Sequence, residues 1–519
     1  MTSLRSFAPV SGACLVTSVL AAAPASLLPQ NPTQNAAQSP AQNPAPTAQD
    51  PQAEARRRAL EEARASLPKD QAGPISVQQG VERQLQAQQG GAPAQDPNAT
   101  STGLRSWQGP ASTATGVNAS GQFRLIDISL DVIGSVGTST AQNDVIQQLQ
   151  GGHHDPKQRG FTLQQAELAL AGAVDPYFRV DSHITSVIDP EGETIVELEE
   201  AYATSSSLPY GLQLKTGHYL TEFGRINPVH LHDWDWGDQP VVVSRFFGGD
   251  GLRAPGARMS WVMPTDTYTE AIFGAQNASG ETVKSFLAND EVYGEEPIGG
   301  RLYQERTVRS LEDVLYTARL SQSQTPSEET VLNYGVSALF GPNATGQDSD
   351  TMIYGADFVF LWRPASNDKG WPFFKVQGEW MARVFDAETQ NVDELDPLDP
   401  TIGAATLRDH GGFLQALWGF QRGWSTGLRG EYATGSGGDY EYTLTGSPTN
   451  TVVSYSRDDD YDRTDRMRIS PILVYQPSEF TRIRLQYNYD ESDHLNTGGE
   501  HSVWLTFQTL IGVHQPHRM

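Results

Sequence analysis

A single cysteine, Cys14, is found in a chain of 519 residues. Beyond residue 30 no stretch supplies the run of about 20 apolar residues that a membrane-spanning helix needs. Positive charge is also scarce. There are 36 Lys+Arg against 62 Asp+Glu, a formal net charge of −26. The first scarcity excludes an internal disulfide framework. The second excludes a bundle of membrane helices, in keeping with 38% apolar residues and a mean hydropathy of −0.45. The third excludes a surface that wraps nucleic acid, because phosphate affinity comes from clustered Lys and Arg. A length of this order would suggest several domains of about 100–200 residues. None of these absences excludes a transmembrane β-barrel, whose apolar band occupies only every second strand residue.

The first residues pair one basic side chain, Arg5, with an apolar stretch ending at Leu20 and the small-residue run Ala21-Ala22-Ala23-Pro24-Ala25. This order reads as a secretory signal over residues 1–25, with Ala23-x-Ala25 as its cleavage site. A lipid anchor on Cys14 is the competing reading, although Ser11 stands where a large apolar residue is expected. Cleavage would leave a mature chain without cysteine. Residues 26–119 are dense in Gln, Pro, Ala and Asn, a composition too poor in apolar surface to offset chain entropy. They read as a disordered periplasmic arm. Within it, 52–67 (QAEARRRALEEARASL) predicts a short helix stopped by Pro68.

From residue 120 the texture alternates. In Thr481–Tyr489, Ile483, Leu485, Tyr487 and Tyr489 share one face, and Arg482, Arg484, Gln486 and Asn488 the other. Tyr177–Val187 opposes Phe178, Val180 and Ile184 to Arg179, Asp181, His183 and Thr185. Period two with one apolar face is the strand signal. About sixteen such segments lie between residues 122 and 511. Brief links such as Asp175-Pro176 and Pro477-Ser478 follow the even-numbered segments. Longer ones, at 220–254, 276–309, 386–411 and 435–465, follow odd-numbered segments. Short turns on one side and long loops on the other predict an all-β fold, a sixteen-stranded antiparallel transmembrane β-barrel in a bacterial outer membrane. Tyr177, Phe178, Tyr210, Tyr219, Trp261, Tyr268, Trp362, Trp371, Trp424, Tyr475 and Phe480 cluster at segment ends, where interfacial girdles lie.

The loop at 220–254 contains Phe223-Gly224-Arg225-x-Asn227-Pro228-x-His230-x-His232-x-Trp234. It is followed by Gly249-Asp250-Gly251-Leu252-Arg253-x-Pro255-Gly256-x-Arg258, and the chain ends with Gly512-x-His514-x-x-His517. Over about residues 120–519 the chain resembles sixteen-stranded bacterial outer-membrane porins. In these motifs it is similar to porin-like proteins described as zinc-regulated outer-membrane proteins, grouped loosely with phosphate-selective porins. The resemblance implies passive diffusion of small hydrophilic solutes or ions, contact with outer-membrane lipid, and a homotrimer. It also implies that the loop after the fifth strand folds into the lumen and sets the constriction. The chain departs from many barrels in ending with Arg518-Met519 instead of an aromatic residue.

Candidate chemistry concentrates in that loop. His230 and His232 point two imidazoles to one side of an extended segment, and Asp233, Asp235 and Asp238 follow. His230, His232 and Asp233 are therefore a candidate site for zinc or another divalent cation. The competing reading is that these side chains line the lumen. The inward faces of the fourteenth and fifteenth segments carry Arg466, Arg468, Arg482 and Arg484, with Arg179 and Lys215 elsewhere and Glu197 and Glu199 opposed to them. Such charges would set a transverse field at a constriction, or would pair with one another. Residues 386–411 hold seven Asp/Glu and one Arg, and DDDYDRTD at 458–465 extends the acidic surface. Neither a phosphate loop nor a Gly-x-Ser-x-Gly elbow is present. The expectation is a channel, not an enzyme, needing no cofactor beyond a divalent cation.

Overall fold

The computed structural model describes residues 126–392, 400–444, 451–495 and 498–512. The expected leader, the arm with its helix at 52–67, and the terminal His514 and His517 lie outside the described residues. Sixteen strands form the wall. The first six are β1 (Asp127–Ser139), β2 (Gly160–Ala173), β3 (Phe178–Ile188), β4 (Thr194–Ser205), β5 (Leu212–Leu220) and β6 (Arg253–Val262). Next come β7 (Tyr268–Asn277), β8 (Val314–Ser327), β9 (Thr330–Pro342), β10 (Asp350–Trp362) and β11 (Phe373–Ala387). The last five are β12 (Ala405–Gln421), β13 (Trp424–Ser436), β14 (Arg466–Ser478), β15 (Thr481–Ser492) and β16 (Glu500–Gly512). Each pairs antiparallel with its successor, and β16 closes on β1 from Ser129↔Gly512 to Ser139↔Ser502. Closure leaves no unpaired edge, so the backbone is satisfied without water, as a hydrocarbon medium requires.

The side chains explain why these segments close in lipid. On β15 the inward Arg484, Gln486, Asn488 and Asp490 are buried, while Leu485 is nearly half exposed on the outer face. Val336 and Phe340 on β9, Leu414 and Trp418 on β12, and Leu505 and Phe507 on β16 are exposed in the same way. Polar inside and apolar outside reverses the order of a water-soluble β-sandwich and fits a wall that meets lipid. The chain is an outer-membrane-type β-barrel.

The sixteen expected segments all form strands, and the segment expected at 412–420 begins earlier, at Ala405. The expected alternation of loop length is less strict. The loops at 189–193, 343–349 and 493–499 lie on the long-loop side yet are short. Antiparallel pairing fixes the side on which a loop emerges and leaves its length free. Tyr177, Tyr210, Trp261, Tyr475 and Phe480 are exposed near the short turns, as a girdle requires. Two expected girdle residues turn inward instead. Tyr219 is buried at the opposite end of β5, and Trp371 packs against an interior cluster with Trp236 and Phe373.

Among the described residues, three short α-helices sit in the long loops: α1 (Asn143–Leu149), α2 (Val241–Phe247) and α3 (Asp290–Glu295). α2 follows Pro240 and stops at Gly248, whose φ of 84° ends the helix. Three consecutive valines are poor helix formers, so tertiary packing must hold this element. All seven of its residues are buried. Val242, Val243, Phe246 and Phe247 pack with Phe223, with Phe286, and with the inward Leu315, Leu339, Ile353, Met381 and Phe413 of β8–β12. The barrel therefore carries an apolar core inside its lumen, built by its own loop.

Candidate functional site

Loop 221–252 leaves β5 and enters the lumen through a turn at Gly224, where φ is 61°. Gly224 N donates to Ser337 Oγ at 3.2 Å, and Arg225 N donates to Glu379 Oε2 at 2.9 Å. The Arg225 guanidinium meets Asp357 at 2.7 Å. Asn227 ties the two legs of the loop together. Its side-chain amide donates to the carbonyls of Thr221 (2.8 Å) and Leu252 (3.0 Å), and its Oδ1 accepts from Leu252 N (2.7 Å). The Gly-Arg-x-Asn part of the sequence motif is thus the hinge of the inserted loop.

One wall of the lumen is acidic and imidazole-rich. His230 Nε2 lies 2.8 Å from Glu200, and His230 Nδ1 lies 3.2 Å from Glu199. His232 Nδ1 lies 3.0 Å from Glu167, which also meets His183 Nδ1 at 2.6 Å. The His183 and His230 rings stack at 4.3 Å, and the His230 and His232 rings at 5.6 Å. A β-bulge explains why two adjacent glutamates reach one histidine. His183 pairs with Glu200 and Ile184 with Leu198, so Glu199 is the extra residue and both carboxylates face inward. Burial disfavours charge on the loop imidazoles, but Glu199 and Glu167 outweigh it and hold His230 well above its ordinary pKa. His232 is likewise raised to about 9, against its burial, by Glu167.

The other wall is basic. Asp238 meets Arg429 at 2.5 Å, Arg468 at 3.2 Å and Asn488 at 2.9 Å. Burial opposes its charge, and Arg429 and Arg468 overcome that and hold the carboxyl down to about 2. Arg482 and Arg484 donate to the Trp234 carbonyl at 2.7 and 3.1 Å, and Arg484 also donates to the Trp236 carbonyl at 3.0 Å. Asp235 pairs with Lys375 of β11 at 2.8 Å. Asp155, from the loop after β1, accepts from Gln239 N at 2.9 Å, and burial together with Asp238 pushes its carboxyl up to about 7.

The sequence-derived residues therefore divide. His230 and His232 meet carboxylates, while the Asp238 side chain meets arginines. Asp233 lies 4.0 Å from the His232 ring, outside the group formed by Glu167, His183 and His230. Arg466 and Arg468 pair with Asp490 of β15, each at 2.8 Å, as well as serving the loops. Arg179 pairs with Asp181 on its own strand at 3.0 Å. It stands four residues from His183, roughly 13 Å along the strand, so it belongs to the short-turn end and not to the loop. The acidic segment 458–465 is not simply solvated. Asp462 meets Lys284 at 2.6 Å, and Arg463 meets Asp409 at 2.9 Å. Glu167, His183, Glu200, Arg429 and Lys375 escaped the sequence reading. Alternation marked His183 as inward, but strand register and the bulge supply its neighbours.

No protein-family model matches the chain. It is 29% identical over 389 residues to an uncharacterized protein of Aquifex aeolicus (strain VF5), covering 71% of this chain and 72% of that one. Among solved structures it is similar to the outer-membrane channel DcaP of Acinetobacter baumannii, with a TM-score of 0.43 and 10% identity over 74% of this chain and 97% of that one. OprB of Pseudomonas putida gives a TM-score of 0.43 and 10% identity over 75% and 94%. The anion-selective porin of Comamonas acidovorans gives 0.40 and 9% over 75% and 99%. By its own geometry this chain is a sixteen-stranded outer-membrane β-barrel with its fifth-strand loop fastened across the lumen.

Proposed function

We propose that the chain is an outer-membrane channel for passive diffusion of small hydrophilic solutes or ions, with loop 220–254 setting the bore. The observation that carries this reading is the loop's attachment to both walls of a polar-lined barrel, by His230 on one side and Asp238 on the other. A loop held by ion pairs at discrete points can change the bore without disturbing the wall. The apolar core around α2 favours a second reading, a surface receptor whose lumen stays closed. A homotrimer belongs to the channel reading and is tested by the mass of the detergent-extracted protein.

Planar-bilayer recording separates the two. The channel reading expects ohmic current in the wild type, and a larger current when residues 228–240 are deleted. Absence of conductance in both proteins would defeat it. Reversal potentials in a salt gradient then assign the ion preference.

A further inference from the structure

We propose that the junction between the inserted loop and strands β2–β4 binds a divalent transition-metal cation through Glu167, His183 and His230. Each of the three offers a ligand atom, and these atoms lie within 4.8 Å of one another. A tetrahedral ion with bonds of about 2.1 Å sets its ligands roughly 3.4 Å apart, so closing the group needs only a small movement of a loop side chain. Geometry supplies a second, independent sign. His230 Nδ1 is buried and makes no well-aligned hydrogen bond, although it sits 3.2 Å from Glu199 Oε2 and 3.8 Å from Glu167 Oε2. A buried ring nitrogen left without a bond is a cost that a native structure normally avoids. A cation placed among these oxygens would displace the proton from that nitrogen and be bound by its lone pair.

The donor set selects the class of ion. Two imidazoles and a carboxylate suit zinc, cobalt or nickel, whereas calcium and magnesium take oxygen ligands. Glu199, Glu200 and His232 surround the three ligands and can complete the coordination or orient the rings. Glu167 and His183 belong to the wall and His230 to the loop, so a bound ion would clasp one to the other. The inference stands whether or not the barrel conducts.

The test uses the full-length protein in detergent, stripped with a chelator and titrated calorimetrically with zinc. One equivalent should bind, and His183→Ala and His230→Ala should each weaken binding at least tenfold. Heat-modifiable gel mobility checks that each variant remains a folded barrel. X-ray absorption of the zinc-loaded wild type needs no variant and should show imidazole nitrogen in the coordination shell. An oxygen-only shell, or no binding by the wild type, would overturn the proposal. So would binding lost in His153→Ala but kept in His183→Ala, because His153, Glu197 and Asp250 form a second grouping of this kind among the described residues.

Discussion

Asp238 of the inserted loop and Arg468 of β14 lie 3.2 Å apart, each with a side chain only 1% exposed. Removing a carboxylate from such a place strands its partners, because a buried guanidinium without a counter-charge is far costlier than a surface one. Asp238→Ala should destabilise loop docking by about 3–5 kcal/mol. Hydrogen exchange should rise across 228–240, while the barrel keeps its heat-modifiable mobility. Unchanged exchange would show that Arg429 and Arg468 find other partners.

Loop docking should depend on pH through Asp155. Its carboxyl is raised to about 7 from an ordinary 3.8 by burial and by Asp238. The docked state therefore holds a proton that the undocked state has already released. The contribution to docking is full below about pH 4 and is lost as pH rises to about 7. Exchange at residues 237–240, corrected for intrinsic rates, should be faster at pH 8 than at pH 5. In Asp155→Asn the difference should shrink, and an equal difference in the variant would assign the effect to another group.

Gly224→Ala should loosen the hinge. The left-handed φ of 61° costs a non-glycine residue roughly 1–2 kcal/mol. In addition, a Cβ there meets the Glu379 carboxylate that receives Arg225 N. Gly430→Ala, with open space around its Cβ, is the control. Limited proteolysis within 220–254 should accelerate in the first variant alone.

Outward positions should tolerate charge poorly. Leu485→Arg places a guanidinium on the lipid face and should cost about 2–4 kcal/mol near the midplane. Urea titration of folding into vesicles measures this. A value near zero would mean that Leu485 lies at the interface and not within the hydrocarbon.

Much of the wall was legible because its rule is local. Ile483, Leu485 and Tyr487 alternate with Arg482, Arg484 and Gln486 whatever the rest of the chain does. The inserted loop was legible only in part. Its histidines and aspartates stood out by type, yet the apolar run Val241–Phe247 was missed, because seven residues in a polar loop mark no particular element. The inward Leu339, Ile353 and Met381 were hidden for a related reason: an apolar residue between two lipid-facing neighbours only makes the strand look less alternating.

Order along the chain determined that this protein is a barrel, that its polar faces turn inward, and that its fifth-strand loop is chemically distinct. The low count of apolar residues follows from that, since one strand face in two meets lipid. Tertiary structure alone decided which charges meet. A one-residue bulge aims Glu199 and Glu200 together at His230, and closure of β16 on β1 brings Gln508 within 3.1 Å of Asp131, 377 residues apart. Such pairings depend on register between strands far apart in sequence, and alternation within one strand carries no information about register.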